Sequence, residues 1–300
     1  MEKTEFIWHN GKLIKWAEAQ IHVLSHSLHY GTGAFEGIRV YKTDRGPAIF
    51  RLKDHLERLA YSASALDMKI PWNISEIEKE TLELLKANKL EQGYIRHIVY
   101  FGEGILRVKP MGNPVQLSIA CWPWGAYLPH DMVDLKISKY IRIHPQSTTA
   151  DAKICGHYVN SVHAAIEIQD TKYHEALLLD FEGKVAEGPG ENLFIVKDGK
   201  LITPKLGRIL SGITRMTIFE LAKDNNLEVV ETELLPEDVF NADEAFYTGT
   251  AAEVTPIKSL DDNIIADGKI GKITELIKTE YMNLVTGKNT KYDNYLTFVK

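Results

Sequence analysis

The sequence predicts a two-domain chain of the α/β (α+β) class, and three observations carry that expectation. Its 300 residues reach the size at which a single hydrophobic core stops growing, about 250–300 residues. Strand-like runs alternate with amphipathic helical patterns along the first third of the chain. Between the halves stands Trp122-Pro123-Trp124-Gly125-Ala126-Tyr127-Leu128-Pro129-His130, whose prolines and glycine argue against regular structure. Its aromatics are unusual for a solvated tether; a linker that also lines a cleft accounts for them. The expected division is a small α/β domain over residues 1–122, a linker over 123–133 and a large domain over 134–300.

The elements follow from local pattern. Phe6-Ile7-Trp8 and Leu13-Ile14 flank Asn10-Gly11, a type I′ hairpin signal. Residues 38–41 and 48–50 read as short strands, and Leu56, Leu59, Ala60, Ala63 and Leu66 mark one helical face. Ser75-Glu76-Ile77-Glu78 reads as a capping box opening a second amphipathic helix through Leu85. Residues 94–101 and 115–121 are expected strands. The second half opens with a strand over 135–143 and a helix over 160–169. Hairpins follow around Glu182-Gly183 and Asp198-Gly199, then a helix from Ser211-Gly212 to Lys223, a strand over 244–248 and a last helix over 273–284.

Composition narrows the function. Hydrophobic residues at 44% and charged residues at 25% exclude a disordered or collagenous chain. A net charge of -6 is a poor match for nucleic acid or an anionic membrane, so neither is an expected partner. No apolar run approaches the ~18 residues of a membrane span. Met-Glu-Lys-Thr-Glu-Phe at the N-terminus lacks an apolar signal segment, which gives a cytoplasmic expectation. Two cysteines make no disulfide framework, and Cys121 and Cys155 read as small buried thiols. His26 and His29 stand three apart without an evident third ligand, so no metal is expected.

Several segments could carry chemistry. Lys153 stands in a run of small and polar residues just before a helix. A lone lysine is ordinarily a solvated charge; the functional alternative is an amine of lowered pKa able to form a Schiff base, with Tyr158 five residues on. Glu187-Gly188-Pro189-Gly190-Glu191-Asn192 is either a polar turn or a strand-end carboxylate aimed into a cleft, with glycines letting the backbone approach a ligand. Leu210-Ser211-Gly212-Ile213-Thr214-Arg215 opens a helix whose N-terminus suits a phosphate, though a Ser-Gly before a helix is usually only a cap. Thr248-Gly249-Thr250-Ala251-Ala252 places two hydroxyls around a glycine after an apolar strand. Tyr94 and Arg96 alternate along a strand and so share a face, and Phe35 would by default be core.

Together the pieces resemble the fold-type IV pyridoxal-phosphate enzymes, and within them the branched-chain amino acid aminotransferases. Nine motifs in order carry the resemblance: His29-Tyr30-Gly31-Thr32, Phe35-Glu36-Gly37-Ile38-Arg39, His55-Leu56-Glu57-Arg58-Leu59, Tyr94-Ile95-Arg96, Trp124-Gly125-Ala126-Tyr127, Ala152-Lys153, Glu187-Gly188-Pro189-Gly190-Glu191-Asn192, Gly212-Ile213-Thr214-Arg215 and Gly249-Thr250-Ala251-Ala252-Glu253. The resemblance implies a small N-terminal α/β domain and a larger, β-barrel-like C-terminal domain with helices. It also implies pyridoxal 5′-phosphate as cofactor and ping-pong transfer of an amino group between leucine, isoleucine or valine and 2-oxoglutarate.

Roles follow by resemblance. Lys153 would hold the cofactor covalently and later carry the proton between substrate Cα and cofactor C4′. Glu187 would face the pyridine nitrogen and Tyr158 the phenolic oxygen. Arg58, the backbone N–H groups of Ile213 and Thr214, and the Thr250 hydroxyl would bind phosphate. Tyr94 with the amides of Ala251 and Ala252 would take the α-carboxylate. Phe35, Trp124 and Tyr127 would wall an apolar pocket, with Arg96 at its edge for the γ-carboxylate of glutamate. Tyr30 would reach the site from a neighbouring subunit, so a homodimer is the smallest competent unit and a hexamer is a second option. Two segments depart from the family pattern: Ile154-Cys155-Gly156-His157, and the 105–110 loop, where Arg107 would add a cation near the neighbour's active-site mouth. Arg107 keeps an (R)-amine transaminase open as a rival, with a D-amino acid transaminase on the same fold. A non-catalytic phosphate- or nucleotide-binding regulator is the rival of another class, and it would have no use for Lys153.

Overall fold

The computed structural model describes residues 2–110, 112–125, 127–128 and 130–300. The chain divides into two compact units. The first comprises Met1–Gly125, Ala152–His157 and Leu284–Lys300; the second comprises Ala126–Asp151 and Tyr158–Asn283. The expected large domain takes in everything after residue 133, and two stretches depart from that division. The C-terminal strand Leu296–Phe298 pairs antiparallel with Gly46–Phe50. Ala152–His157 runs beside the start of the strand Gly33–Thr43, where Phe35 N–H donates to the Lys153 carbonyl at 3.1 Å and Ala34 bridges Ile154. Both returns span more than a hundred residues, beyond the reach of any local pattern. Ala126 and Pro129 of the expected linker lie outside the described residues.

The first unit is built from β1 (Phe6–His9), β2 (Lys12–Lys15), α1 (His26–Tyr30), β3 (Gly33–Thr43), β4 (Gly46–Phe50), α2 (Leu52–Ser64), α3 (Ile74–Asn88), β5 (Gly93–Phe101) and β6 (Val115–Trp122). Among the described residues its sheet has seven strands, ordered C-terminal strand, β4, β3, β5, β6, β1, β2. Asn10 and Gly11 both take positive φ, 47° and 93°, as a type I′ hairpin requires. The capping box of α3 lies upstream of the expected Ser75 and Glu78. Asn73 Oδ1 accepts Glu76 N–H at 3.0 Å, and Glu76 Oε2 accepts Asn73 N–H at 2.8 Å. The core under α2 and α3 includes Ile38, Val40, Leu56, Leu59, Leu84 and Ile95.

Strand periodicity sorts β3 and β5 into two faces. Glu36 stands opposite His97, and Gly37 opposite Arg96. His97 is fully buried, its Nε2 2.8 Å from the Thr81 hydroxyl, and burial pushes its pKa down to about 3. An imidazole held neutral below its ordinary 6.5 stabilises the fold fully above pH 6.5 and loses that contribution as pH falls toward about 3. The expected result is a urea midpoint that declines across this window; a midpoint level through it would contradict the assignment.

The second unit contains β7 (Val133–Ile137), α4 (Tyr158–Ile168), β8 (Glu175–Leu179), β9 (Val185–Glu187), β10 (Asn192–Lys197), β11 (Lys200–Pro204), α5 (Ile213–Asp224), β12 (Val229–Thr232), α6 (Pro236–Phe240), β13 (Glu244–Gly249), β14 (Glu253–Leu260), β15 (Asn263–Ile264) and α7 (Lys272–Val285). The strand order is β12, β11, β10, β13, β14, β7, β8, β9, and β9 pairs back onto β10 through Glu187 and Asn192. β10, β13, β14, β7, β8 and β9 therefore close a six-stranded barrel. Val133, Leu135, Leu177, Leu193, Tyr247 and Ile257 form one buried cluster from its strands. β7 ends at Ile137, short of the expected 143. Past it, the Ser138 hydroxyl and the Lys139 N–H turn to Glu167 of α4, which draws the chain off the ladder.

Candidate active site

The first unit gathers one set of the expected residues around β3 and β5. Lys153 is held through its main chain: its N–H donates to Ser62 Oγ at 2.9 Å and its carbonyl accepts from Phe35. Its ammonium lies 4.8 Å from the centre of the Phe35 ring. The atypical Cys155-Gly156 stretch crosses Gly31, whose φ is +65° and whose absent Cβ would stand 2.7 Å from Gly156 Cα. Gly156 N–H donates to the Gly31 carbonyl at 3.1 Å. Burial pushes the Cys155 thiol up to about 11, which suits packing rather than reactivity.

Phe35, Tyr94, Arg96 and Trp124 are brought together on one face. The Arg96 guanidinium sits 4.7 Å from the Phe35 ring centre and 5.7 Å from that of Tyr94. Its buried Nε has no hydrogen-bond partner. Trp124 meets Tyr94 edge-on at 4.6 Å. Gly37 makes this possible, since a Cβ there would lie 1.7 Å from the Tyr94 hydroxyl. Arg39, which sequence reasoning gave no role, donates from Nη2 to the Gly125 carbonyl at 3.0 Å and so fixes the backbone beside Trp124.

Arg58 reaches from α2 to a fully buried carboxylate. Its Nε donates to Glu36 Oε1 at 2.6 Å and its Nη2 to Glu36 Oε2 at 2.8 Å, while His55 Nδ1 meets Oε2 at 2.7 Å. Burial alone would raise the Glu36 pKa; the Arg58 guanidinium and the His55 donor outweigh it and hold the carboxyl well below the usual range. Desolvation lowers His55, so the ring is neutral and donates its Nδ1–H.

Tyr30 and Arg107 share an exposed patch. The Tyr30 hydroxyl points to the Leu106 carbonyl at 3.5 Å. His26, buried beneath them, donates from Nε2 to the Arg107 carbonyl at 2.8 Å and meets the Thr32 hydroxyl with Nδ1 at 2.7 Å. His26 thus anchors the 105–110 loop.

The second unit gathers the rest. Glu187 is buried at the barrel's closing pair. Its carboxylate accepts from Arg142 Nε, from Asn192 Nδ2 at 3.0 Å and from Leu210 N–H at 3.0 Å. Gly212, the N-cap of α5, leaves room for Asn192: a Cβ there would lie 1.9 Å from Asn192 Oδ1. Ile213 and Thr214 form the first turn of α5, and Gly212 brings no side chain to cap it. Thr214 Oγ1 is buried without a partner, as is Thr248 Oγ1. Thr250, Ala251 and Ala252 make the tight β13–β14 connection. Ala251 and Ala252, with Tyr127 and Lys278, line a cavity of about 350 Å³. Tyr158 is the first residue of α4. Arg142, which holds Glu187, gave no sequence signal.

The chain belongs to the family described as Amino-transferase class IV, which it matches over residues 33–260. Among its relatives, the branched-chain-amino-acid aminotransferase of Pseudomonas aeruginosa is 43% identical over 303 aligned positions, 100% of this chain and 99% of that protein. That of Escherichia coli strain K12 is 39% identical over 96% of this chain and 95% of its own length. The crystal structure of the T.th. branched-chain amino acid aminotransferase complexed with N-(5′-phosphopyridoxyl)-L-glutamate superposes with a TM-score of 0.97 at 42% identity, covering all of both chains. No helix among the described residues is long and apolar enough to cross a membrane.

Proposed function

We propose that this chain transfers amino groups reversibly between leucine, isoleucine or valine and 2-oxoglutarate, with pyridoxal 5′-phosphate as cofactor. The residues present fit that group. The carrying observation is the buried Thr214 hydroxyl, unpartnered in the first turn of α5, where a phosphate oxygen would complete it. Glu187, buried and fixed by three donors, suits a cationic pyridinium N–H. When bound, the cofactor supplies an electron sink for the carbanion at the substrate Cα.

The chain's own residues do the rest. Lys153 holds the cofactor through its amine and moves the proton at the substrate Cα. Glu187 holds the proton on the ring nitrogen, and Tyr158 orients the phenolic oxygen. Arg58, the N–H groups of Ile213 and Thr214, and the Thr250 hydroxyl take the phosphate. Tyr94 and the amides of Ala251 and Ala252 orient the α-carboxylate. Phe35, Trp124 and Tyr127 exclude water around a branched side chain. Tyr30 and Arg107, on one exposed patch, would complete the pocket of a neighbouring copy in a homodimer. The amine and D-amino acid readings find no support in the relatives, which carry the branched-chain name and match over 99% and 95% of their lengths.

An apolar pocket should reject a γ-carboxylate, because an unmatched buried charge costs several kcal/mol. Arg96 answers this: its buried Nε lacks a partner and its guanidinium lies over Phe35. Arg96→Leu is expected to lose most activity with glutamate and 2-oxoglutarate yet keep a substantial half-reaction with leucine. Single-turnover rates with each amino acid test it; equal losses on both would give Arg96 an α-carboxylate or structural role. Formation of glutamate from L-leucine and 2-oxoglutarate by the purified protein tests the activity itself. Turnover confined to D-leucine or to simple amines would overturn it.

A further inference from the structure

We propose that Glu36 and His55 are positioning residues that preset Arg58 for the phosphate of the cofactor. The inference rests on the reading of Arg58 as a phosphate ligand and goes beyond it. The three groups form a graded set. The side chains of Glu36 and His55 are 0% exposed, whereas that of Arg58 is 12% exposed, so Arg58 alone of the trio reaches accessible space. Glu36 grips the Nε and Nη2 edge in the bidentate geometry that suits a guanidinium, which turns the Nη1 side away from the carboxylate. His55, donating to Glu36 Oε2, fixes the carboxylate in turn. Glu36 is itself anchored on β3 directly opposite His97, and both are fully buried.

The carboxylate has two opposed effects on an anion. Its charge repels a phosphate, while its grip removes the rotamer freedom that Arg58 would otherwise lose on binding. Screening of the charge by two direct donors favours the second effect. Freezing one rotamer-rich side chain in advance is worth roughly three- to tenfold in affinity.

The test compares the apo-protein's affinity for pyridoxal 5′-phosphate with that for pyridoxal, which lacks the phosphate. The expected result is that Glu36→Gln, which is isosteric, weakens the phosphorylated ligand by roughly tenfold and leaves pyridoxal unchanged. Inorganic phosphate should compete correspondingly less well. Arg58→Met, made in the Glu36→Gln background to avoid a buried unpaired charge, should then remove the remaining phosphate-dependent affinity. Unchanged or tighter binding of pyridoxal phosphate by Glu36→Gln, with Arg58→Met still costing affinity, would overturn the positioning role and leave the Arg58 reading standing. No phosphate-dependent loss in either variant would overturn the Arg58 reading and this inference with it. If Glu36→Gln does not fold, His55→Asn should give the same phosphate-only pattern at about threefold. An equal loss on both ligands would mark the trio as merely structural and overturn the proposal.

Discussion

Lys153→Ala is expected to abolish transamination and, together with it, covalent retention of the cofactor. The substitution removes both the amine that anchors the cofactor and the group that moves the proton at the substrate Cα. General acid–base catalysis alone is commonly worth about 10²–10⁴ in rate, so the combined loss should exceed about 10⁴. The fold should survive. The main chain of this stretch is held by Phe35 N–H, by the Ser62 hydroxyl and by the Gly31–Gly156 contact, none of which needs the lysine side chain. Turnover assays, with thermal unfolding as a control, check this. Retained turnover in a folded Lys153→Ala protein would move the catalytic amine elsewhere.

The second large effect is expected at Glu187. Its two carboxylate oxygens accept from Arg142, Asn192 and Leu210. A glutamine there cannot accept on both sides, and it cannot balance a protonated pyridine. Removing one preorganised electrostatic partner typically costs about 10²–10³ in kcat. Some stability should go as well, because Arg142, whose side chain is 11% exposed, would face a neutral amide. The backbone pairing of Glu187 with Asn192 closes the barrel independently of the charge, so the architecture should remain. The expected outcome of Glu187→Gln is a protein that still binds cofactor but turns over slowly at cofactor saturation. Wild-type turnover would reduce Glu187 to a turn residue.

Local chemistry explains what could be read in advance. Asn10-Gly11 and Asp198-Gly199 reveal their hairpins because both residues in each must take positive φ. The face shared by Tyr94 and Arg96 follows from strand alternation, and α5 from the Ser211-Gly212 signal that opens it. β14 escaped because Pro256 stands inside it, and proline ordinarily argues against a strand. β12 and α6 are too short for periodicity to declare them. The ion pairs escaped for a different reason. Glu36 and Arg58 are 22 residues apart, and Arg142 and Glu187 are 45 apart. Nothing local marks such partners. Arg142 also sits where an unbroken strand was expected, a reading that would have aimed it by simple alternation. The return of Ala152–His157 to β3, which places the Lys153 ammonium over Phe35, is likewise a long-range event.

The most direct test of the account is borohydride reduction of the cofactor-loaded protein, followed by peptide mapping of the modified lysine. The account predicts a single pyridoxyl adduct, on Lys153, in protein that loses its activity as the adduct forms. An adduct on another lysine, or no adduct in protein that interconverts leucine and 2-oxoglutarate, would contradict it.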